Sequence, residues 1–198
     1  RIDILVGTQM VTKGLDFDNV AVVGILNADN MLHYPDFRAY ERAFQLMMQV
    51  AGRAGRKGKQ GKVLLQTYDD THGVIQFLKA HDLKHFYTEQ IAERKLFNYP
   101  PFSRIIGITL KHKDTNRLDK AANQLATQLR KSFGHRVLGP EYPSISRIRN
   151  YYHKDILLKI EQKASVKKAK TFLATIIKKL QEQKDFRSVR IILDVDKV

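Results

Sequence analysis

Residues 2–26 read IDILVGTQMVTKGLDFDNVAVVGIL, and this stretch predicts the fold of the amino-terminal third of the chain. Two short apolar runs, Ile2–Val6 and Val20–Leu26, have the length and β-branched content of buried strands. The polar loop 7–17 between them contains a hydroxyl, an amide, a lysine and a carboxylate. We expect these side chains to lie at one end of a parallel sheet, which is where open α/β sheets bind ligands.

A second informative stretch, QVAGRAGR, occupies residues 49–56. Its two arginines, Arg53 and Arg56, are three residues apart, and each guanidinium offers paired donors with a permanent charge. Each follows a glycine, which leaves room for a nucleotide to approach the backbone. Residues 40–50 predict a helix that aims the arginine pair. The stretch therefore predicts binding of a nucleoside triphosphate, and a solvated basic turn is the alternative.

These two stretches resemble conserved helicase motifs. GTQM at 7–10 with KGLDF at 13–17 resembles motif V of superfamily 2 helicases, and 49–56 resembles motif VI, the arginine-finger motif. With LQTY at 65–68 and NYPPF at 98–102, at compatible spacing, the chain is similar to the bacterial primosomal replication-restart helicases, the PriA (primosomal protein N′) family.

The resemblance implies roles for individual residues. Three would act in catalysis by reaching the γ-phosphate held on the other motor lobe: Gln49, Arg53 and Arg56. Three would contact the nucleotide: Gly14, Asp16 and Gly52. Four would hold the phosphodiester of the tracked DNA strand: Gly7, Thr8, Gln9 and Lys13. The alternatives are a loop cap for Asp16 and a solvated charge for Lys13.

A phosphate-binding loop of the form G-x-x-x-x-G-K-[ST] does not occur in the sequence. Asp69-Asp70 is interpreted as a turn rather than a magnesium-binding acidic pair. Because the chain starts at Arg1 and enters a strand at once, we expect a carboxy-terminal fragment that hydrolyses nothing alone. The resemblance implies ATP and Mg in the full-length enzyme and zinc only in a missing upstream cysteine-rich module. This fragment is expected to bind none of them alone.

Composition points to a polyanionic partner. The chain has 198 residues, no cysteine and a formal charge of +15. Residues 1–68 carry 9 Lys/Arg against 6 Asp/Glu, whereas 69–198 carry 26 against 14. A nucleic-acid partner would explain this excess of positive charge. Ribosomal RNA, an anionic membrane or solubility alone could also explain it. Apolar runs are too short to cross a bilayer, and the resemblance implies a cytoplasmic, nucleoid-associated protein in bacteria.

The carboxy-terminal half predicts a separate domain. Pro100-Pro101 ends a helical connector, and the pattern after it alternates as β, α, β, β, α, β. The fold class is therefore α/β: a partial RecA-like helicase lobe followed by a ferredoxin-like (βαββαβ) α+β domain. The expected domains are 1–68, the end of the second helicase lobe; 69–101, the connector; and 102–198, the basic domain.

The segment 146–154, SRIRNYYHK, interleaves cations with aromatic rings between two predicted strands. Such a segment can neutralise phosphates and stack on unpaired bases. Its expected DNA contacts are Arg147, Arg149, Tyr151 and Lys154. The alternative is an ordinary charged hairpin with Tyr152 facing the core. No metal ligands are predicted, because the seven histidines lack zinc-site spacing.

The function implied by the resemblance is that of an ATP-dependent 3′–5′ DNA helicase that restarts stalled forks through primosome assembly. Forked and single-stranded DNA, primosome proteins and single-strand-binding proteins are the expected partners, with no membrane. Two alternatives stay open: an RNA- or ribosome-binding module without a motor role, and a docking platform for other proteins.

Overall fold

A computed structural model of the chain describes residues 3–7, 20–55 and 61–195. Six residues with predicted roles lie outside this part of the chain: Thr8, Gln9, Lys13, Gly14, Asp16 and Arg56. The chain forms two compact units, Arg1–Glu93 and Arg94–Val198, and each is described by itself. The domain bounds at 68 and 101 stay predictions.

The first unit combines two parallel strands with helices. In register, Val22 pairs with Lys62 and Ile25 with Leu65, so a crossover joins the strands. Its elements are β1 (Val22–Ile25), α1 (Asp29–Leu32), α2 (Ala39–Ala51), β2 (Lys62–Leu65), α3 (Gly73–Ala80) and α4 (Leu83–Leu96), which continues into the second unit.

One hydrophobic core links these helices. Phe44 and Met47 of α2 are fully buried and share a cluster with Ile75 of α3 and Phe86 of α4. The rings of Phe44 and Phe86 stack with centroids 4.1 Å apart. The segment predicted as a connector therefore contributes α3 and the start of α4 to the core that supports α2.

The predicted buried strand Ile2–Val6 is wrong for the residues that the structure describes. Residues 3–7 contain no strand, and Ile4 and Val6 are 84% and 85% exposed. A buried strand needs a ladder partner and apolar cover. Within the described ranges, β1 and β2 pair only with each other, so residues 3–7 add no strand to this sheet.

The second unit contains a sheet with the spatial order β4-β6-β3-β7, in which all neighbours are antiparallel. A short strand, β5, extends the edge by pairing with β6. The elements are β3 (Ser103–His112), α5 (Thr115–Phe133), β4 (Val137–Glu141), β5 (Arg147–Ile148), β6 (Tyr151–Glu161), α6 (Val166–Gln181) and β7 (Arg190–Val195).

Both helices cover the same face of this sheet. The apolar stripes of α5 and α6, with Leu125 and Leu173 as examples, share one core with Ile108 of β3 and Ile156 of β6. Each β-α-β unit is split by a strand of the other, which is the arrangement that the predicted split βαβ sandwich requires. The α/β class is confirmed, and the predicted order β, α, β, β, α, β recurs in this half, with the short β5 as an additional strand.

Candidate functional site

The Gly/Arg turn continues directly from α2. The backbone N–H groups of Gly52, Arg53 and Ala54 donate to carbonyls three or four residues earlier, at 2.9 to 3.1 Å. The turn is therefore a tightened extension of the helix rather than a free loop. Arg53 is half-buried on it, and Gln49 is exposed on the last turn of α2.

Tertiary hydrogen bonds fix this turn to the amino end of β1. The N–H of Gly55 donates to the carbonyl of Val20 at 3.1 Å, and the N–H of Lys62 donates to that of Ala21 at 2.9 Å. Val20 lies three residues after Phe17, the last residue of the segment that resembles motif V. The arginine turn is therefore hydrogen-bonded to the chain that enters β1, at one end of the sheet.

Two glycines of this region differ in what the fold requires. A Cβ on Gly61 would lie 2.2 Å from the nitrogen of Gly55 and 2.5 Å from the carbonyl carbon of Ala54, so only glycine fits. Gly52 has a helical φ of −64°, and a Cβ there would be 3.4 Å from the nearest atom, the oxygen of Met48. Packing does not demand glycine at 52. Gly7, one of the predicted DNA contacts, is exposed.

Asp29 is a buried carboxylate that sequence reasoning missed, because it lies outside the motifs from which the site residues were predicted. It is 9% exposed and accepts hydrogen bonds from Oγ1 of Thr67 at 2.8 Å and the N–H of Tyr68 at 3.1 Å. These contacts join α1 to the chain that leaves β2. Burial alone would raise the pKa of Asp29, but the hydrogen bonds from Thr67 and Tyr68 outweigh it and lower that pKa.

We expect acid to weaken the first unit partly through Asp29. Since its folded pKa lies below the unfolded value, its contribution to stability is present above pH about 4 and lost as pH falls through the folded pKa. Asp29→Asn should flatten the decline in thermal stability below that pH. Asp70→Asn removes another carboxylate of the same unit, at an exposed position, and is the control. A decline identical in all three proteins would refute the role of Asp29.

The second unit presents a tight hairpin between β5 and β6. Arg149 and Asn150 both have positive φ, 48° and 63°, as the two central residues of a type I′ turn do. Nη2 of Arg147 donates to Oδ1 of Asn150 at 3.1 Å. The Arg147 guanidinium lies 5.3 Å from the centre of the Tyr152 ring. Arg147 and Arg149 are exposed, as predicted DNA contacts need to be. Tyr152 packs on the core, as the alternative interpretation had it.

Tyr151 faces the side of the sheet opposite the helices. Its ring lies 4.9 Å from the guanidinium of Arg190 and 5.7 Å from Nζ of Lys113. Lys111 pairs directly with Arg190 across β3 and β7. His153, on the same strand as Tyr151, pairs with Lys111. Burial, reinforced by the charge of Lys111, lowers the pKa of His153. Sequence reasoning missed Lys111, Lys113 and Arg190, since three separate segments supply this cluster.

Lys154 does not join these residues. It is 8% exposed, and its Nζ lies 2.5 Å from Oδ1 of Asp119 and 4.6 Å from the Tyr142 ring. The Tyr142 hydroxyl donates to the same carboxylate oxygen at 2.8 Å. Burial and this hydrogen bond raise the pKa of Tyr142 to about 12. The ammonium of Lys154 is thus engaged beside α5, away from the hairpin tip.

Two further observations apply only to the part of the chain that the structure describes. No set of three or more His, Asp or Glu side chains is grouped as a metal site would require. No helix there combines the length and apolar character needed to span a membrane.

Comparisons with known proteins match both halves of the chain. Residues 95–198 match the family model described as Primosomal protein N C-terminal domain, and residues 1–58 match the Helicase conserved C-terminal domain. Proteins named Replication restart protein PriA are similar along most of the chain. That of Bacillus subtilis is 38% identical over 99% of this chain and 24% of its own length.

Two further relatives carry the same name. The Treponema pallidum protein is 40% identical over 80% of this chain, and the Chlamydia trachomatis protein is 34% identical over all of it. The chain spans about a quarter of the length of these relatives. Since the Primosomal protein N model covers more than half of the chain, the chain belongs to the PriA family of replication restart proteins and represents its carboxy-terminal part.

Proposed function

We propose that this chain supplies the carboxy-terminal part of an ATP-dependent 3′–5′ DNA helicase that restarts stalled replication forks. The observation that carries the proposal is the hydrogen bond from Gly55 to Val20, which joins the arginine turn to a residue three positions after the motif V-like stretch in the sequence. In a motor, such a junction allows nucleotide contacts and DNA contacts to move together. The match of residues 1–58 to a helicase domain supports the same function.

The proposed chemistry is phosphoryl transfer to water from a nucleotide bound elsewhere in the parent protein. ATP would be bound together with Mg²⁺. Arg53 and Arg56 would stabilise the negative charge that develops on the transferring phosphoryl group. Gln49, one helical turn before Arg53, would orient the same phosphate. The exposed backbone at Gly52, where the fold does not demand glycine, is suited to close approach of the nucleotide. Gly14 and Asp16 would contact the nucleoside.

DNA would be held at two places. Gly7, Thr8, Gln9 and Lys13 would contact the tracked strand, and the exposed hairpin arginines Arg147 and Arg149 would contact phosphates in the basic domain. Lys154 is not included, because its ammonium is engaged by Asp119. Primosome and single-strand-binding proteins would be the protein partners. The protein would act in the bacterial cytoplasm, at the nucleoid.

Because its sequence lacks a phosphate-binding loop, we expect the 198-residue chain alone to hydrolyse no ATP. The measurement is phosphate release with and without forked DNA, with the full-length protein as the positive control. Measurable turnover by the chain alone would contradict the proposal.

A competition assay tests the choice of nucleic acid. Labelled forked DNA bound to the chain should be displaced by unlabelled fork at lower concentration than by a structured RNA of equal length, at fixed moderate salt. Preference for the RNA would favour an RNA-binding module instead.

A further inference from the structure

The residues around Tyr151 concentrate positive charge at one end of the second unit's sheet. We name Tyr151, Lys111, Lys113 and Arg190 the Tyr151 cluster. They come from β6, from β3 and the residue just after it, and from β7, three neighbouring strands. Lys113 and Arg190 are exposed, and Lys111 and Tyr151 are partly exposed. The cluster is therefore accessible from solvent.

Like charges in this placement repel one another. Lys111 and Arg190 are directly opposite in an antiparallel pair, where like charges are destabilising. The carboxylate of Asp114 accepts from the N–H of Arg117 at 3.0 Å, and that of Asp155 accepts from Oγ1 of Thr109 at 2.6 Å. An external anion would relieve the repulsion.

The ring of Tyr151 fixes the geometry of these cations. Contacts with the Tyr151 ring at 4.9 and 5.7 Å hold the Arg190 and Lys113 head groups close to one residue, and so reduce the entropy lost when they bind an anion. The two positive charges, on Arg190 and Lys113, are held at separate points. They therefore suit the repeated phosphates of a nucleic-acid strand better than one small anion.

Exposed apolar side chains flank the same cations. Ile148 pairs opposite Tyr151 and is 45% exposed, and Ile192, two residues after Arg190 on β7, is 48% exposed. Apolar and aromatic surface beside cations matches the faces of unpaired bases, which a duplex keeps inside its stack.

We propose that the Tyr151 cluster is a binding site for a single, unpaired DNA strand. Lys111, Lys113 and Arg190 bind successive phosphates, while Ile148, Ile192 and the edge of Tyr151 contact bases. The choice of DNA rests on the proposed function. Tyr151 is among the DNA contacts expected from the sequence, and the geometry adds the three cations around it and the preference of the site for a single strand over a duplex.

The test measures binding of a labelled 20-nucleotide oligodeoxythymidine and of a 20-base-pair duplex to the chain by fluorescence anisotropy. The variant Lys113→Gln/Arg190→Gln removes two exposed cations without creating a cavity. The matched control, Lys167→Gln/Lys170→Gln, removes two exposed lysines from α6. We expect the cluster variant to bind the single strand about tenfold more weakly, with a salt slope shallower by about 1.4, since each lost contact with a single strand contributes about 0.7.

The control should lose much less affinity, and the duplex should be affected less than the single strand. Equal losses for variant and control would show diffuse attraction and overturn the proposal, as would equal losses for duplex and single strand. Tyr151→Leu should weaken binding to the single strand while Tyr151→Phe retains it; equal binding by both would also count against the site. ATP hydrolysis by an Arg53 variant of the full-length protein tests the proposed function separately, so either idea can fail alone.

Discussion

Replacing Arg53 with alanine in the full-length protein is expected to lower DNA-stimulated ATP hydrolysis by about 10³- to 10⁵-fold. An arginine supplied to a nucleotide on another lobe stabilises charge that spreads over the transferring phosphoryl group, and this stabilisation is lost when the guanidinium is removed. Arg53 is held on a helical turn that hydrogen bonds tie to β1, so its backbone position is fixed before the nucleotide binds. The measurement is steady-state phosphate release with saturating forked DNA.

Two further variants make this result specific. Arg42→Ala is the matched control, because Arg42 forms an exposed ion pair with Asp36 at 2.7 Å and should leave turnover nearly unchanged. Arg53→Lys keeps the charge but loses the paired donors, and it should recover only part of the activity. DNA affinity without nucleotide should stay normal in all three. Turnover at the normal rate in Arg53→Ala would refute the proposed role.

Gly61→Ala is expected to have the second large effect, on stability and activity together. The new Cβ would lie 2.2 Å from the nitrogen of Gly55 and 2.8 Å from the Cβ of Ala54, so backbone has to shift. Such overpacking costs about 1–3 kcal/mol or more. A shift of Gly55 would break its hydrogen bond to Val20 and move Arg53, and a displacement near 1 Å can lower turnover about 10²-fold.

Gly24→Ala is the matched control for Gly61→Ala. Gly24 lies in β1, and a Cβ built there meets nothing within 4 Å. This variant should be as stable as the wild type or slightly more so, because alanine loses less conformational entropy than glycine on folding. Thermal unfolding of the chain and ATP hydrolysis by the full-length protein are the measurements. Equal stability and equal turnover of Gly61→Ala and Gly24→Ala would contradict the close packing of Gly61 against Ala54 and Gly55.

Local sequence patterns predicted much of the fold. The stripe on α5 is an example: Leu118, Leu125 and Leu129 recur at helical spacing, and all three are fully buried. Gly134, which caps that helix, has a φ of +58°, a conformation that favours glycine. The segment 2–6 shows the limit of the same reasoning, because an apolar run predicts a buried strand whether or not neighbouring strands are present to bury it.

The candidate sites divide in the same way. Sequence alone determined that the chain has an α/β fold, carries an arginine pair after a helix and has the motifs of the PriA family, because periodicity and short motifs lie within single segments. Only the tertiary structure brought Lys111, Lys113 and Arg190 around Tyr151, gave Asp29 its partners and separated Lys154 from the hairpin tip. Those contacts depend on strand order and register, which arise from packing between segments far apart in the chain.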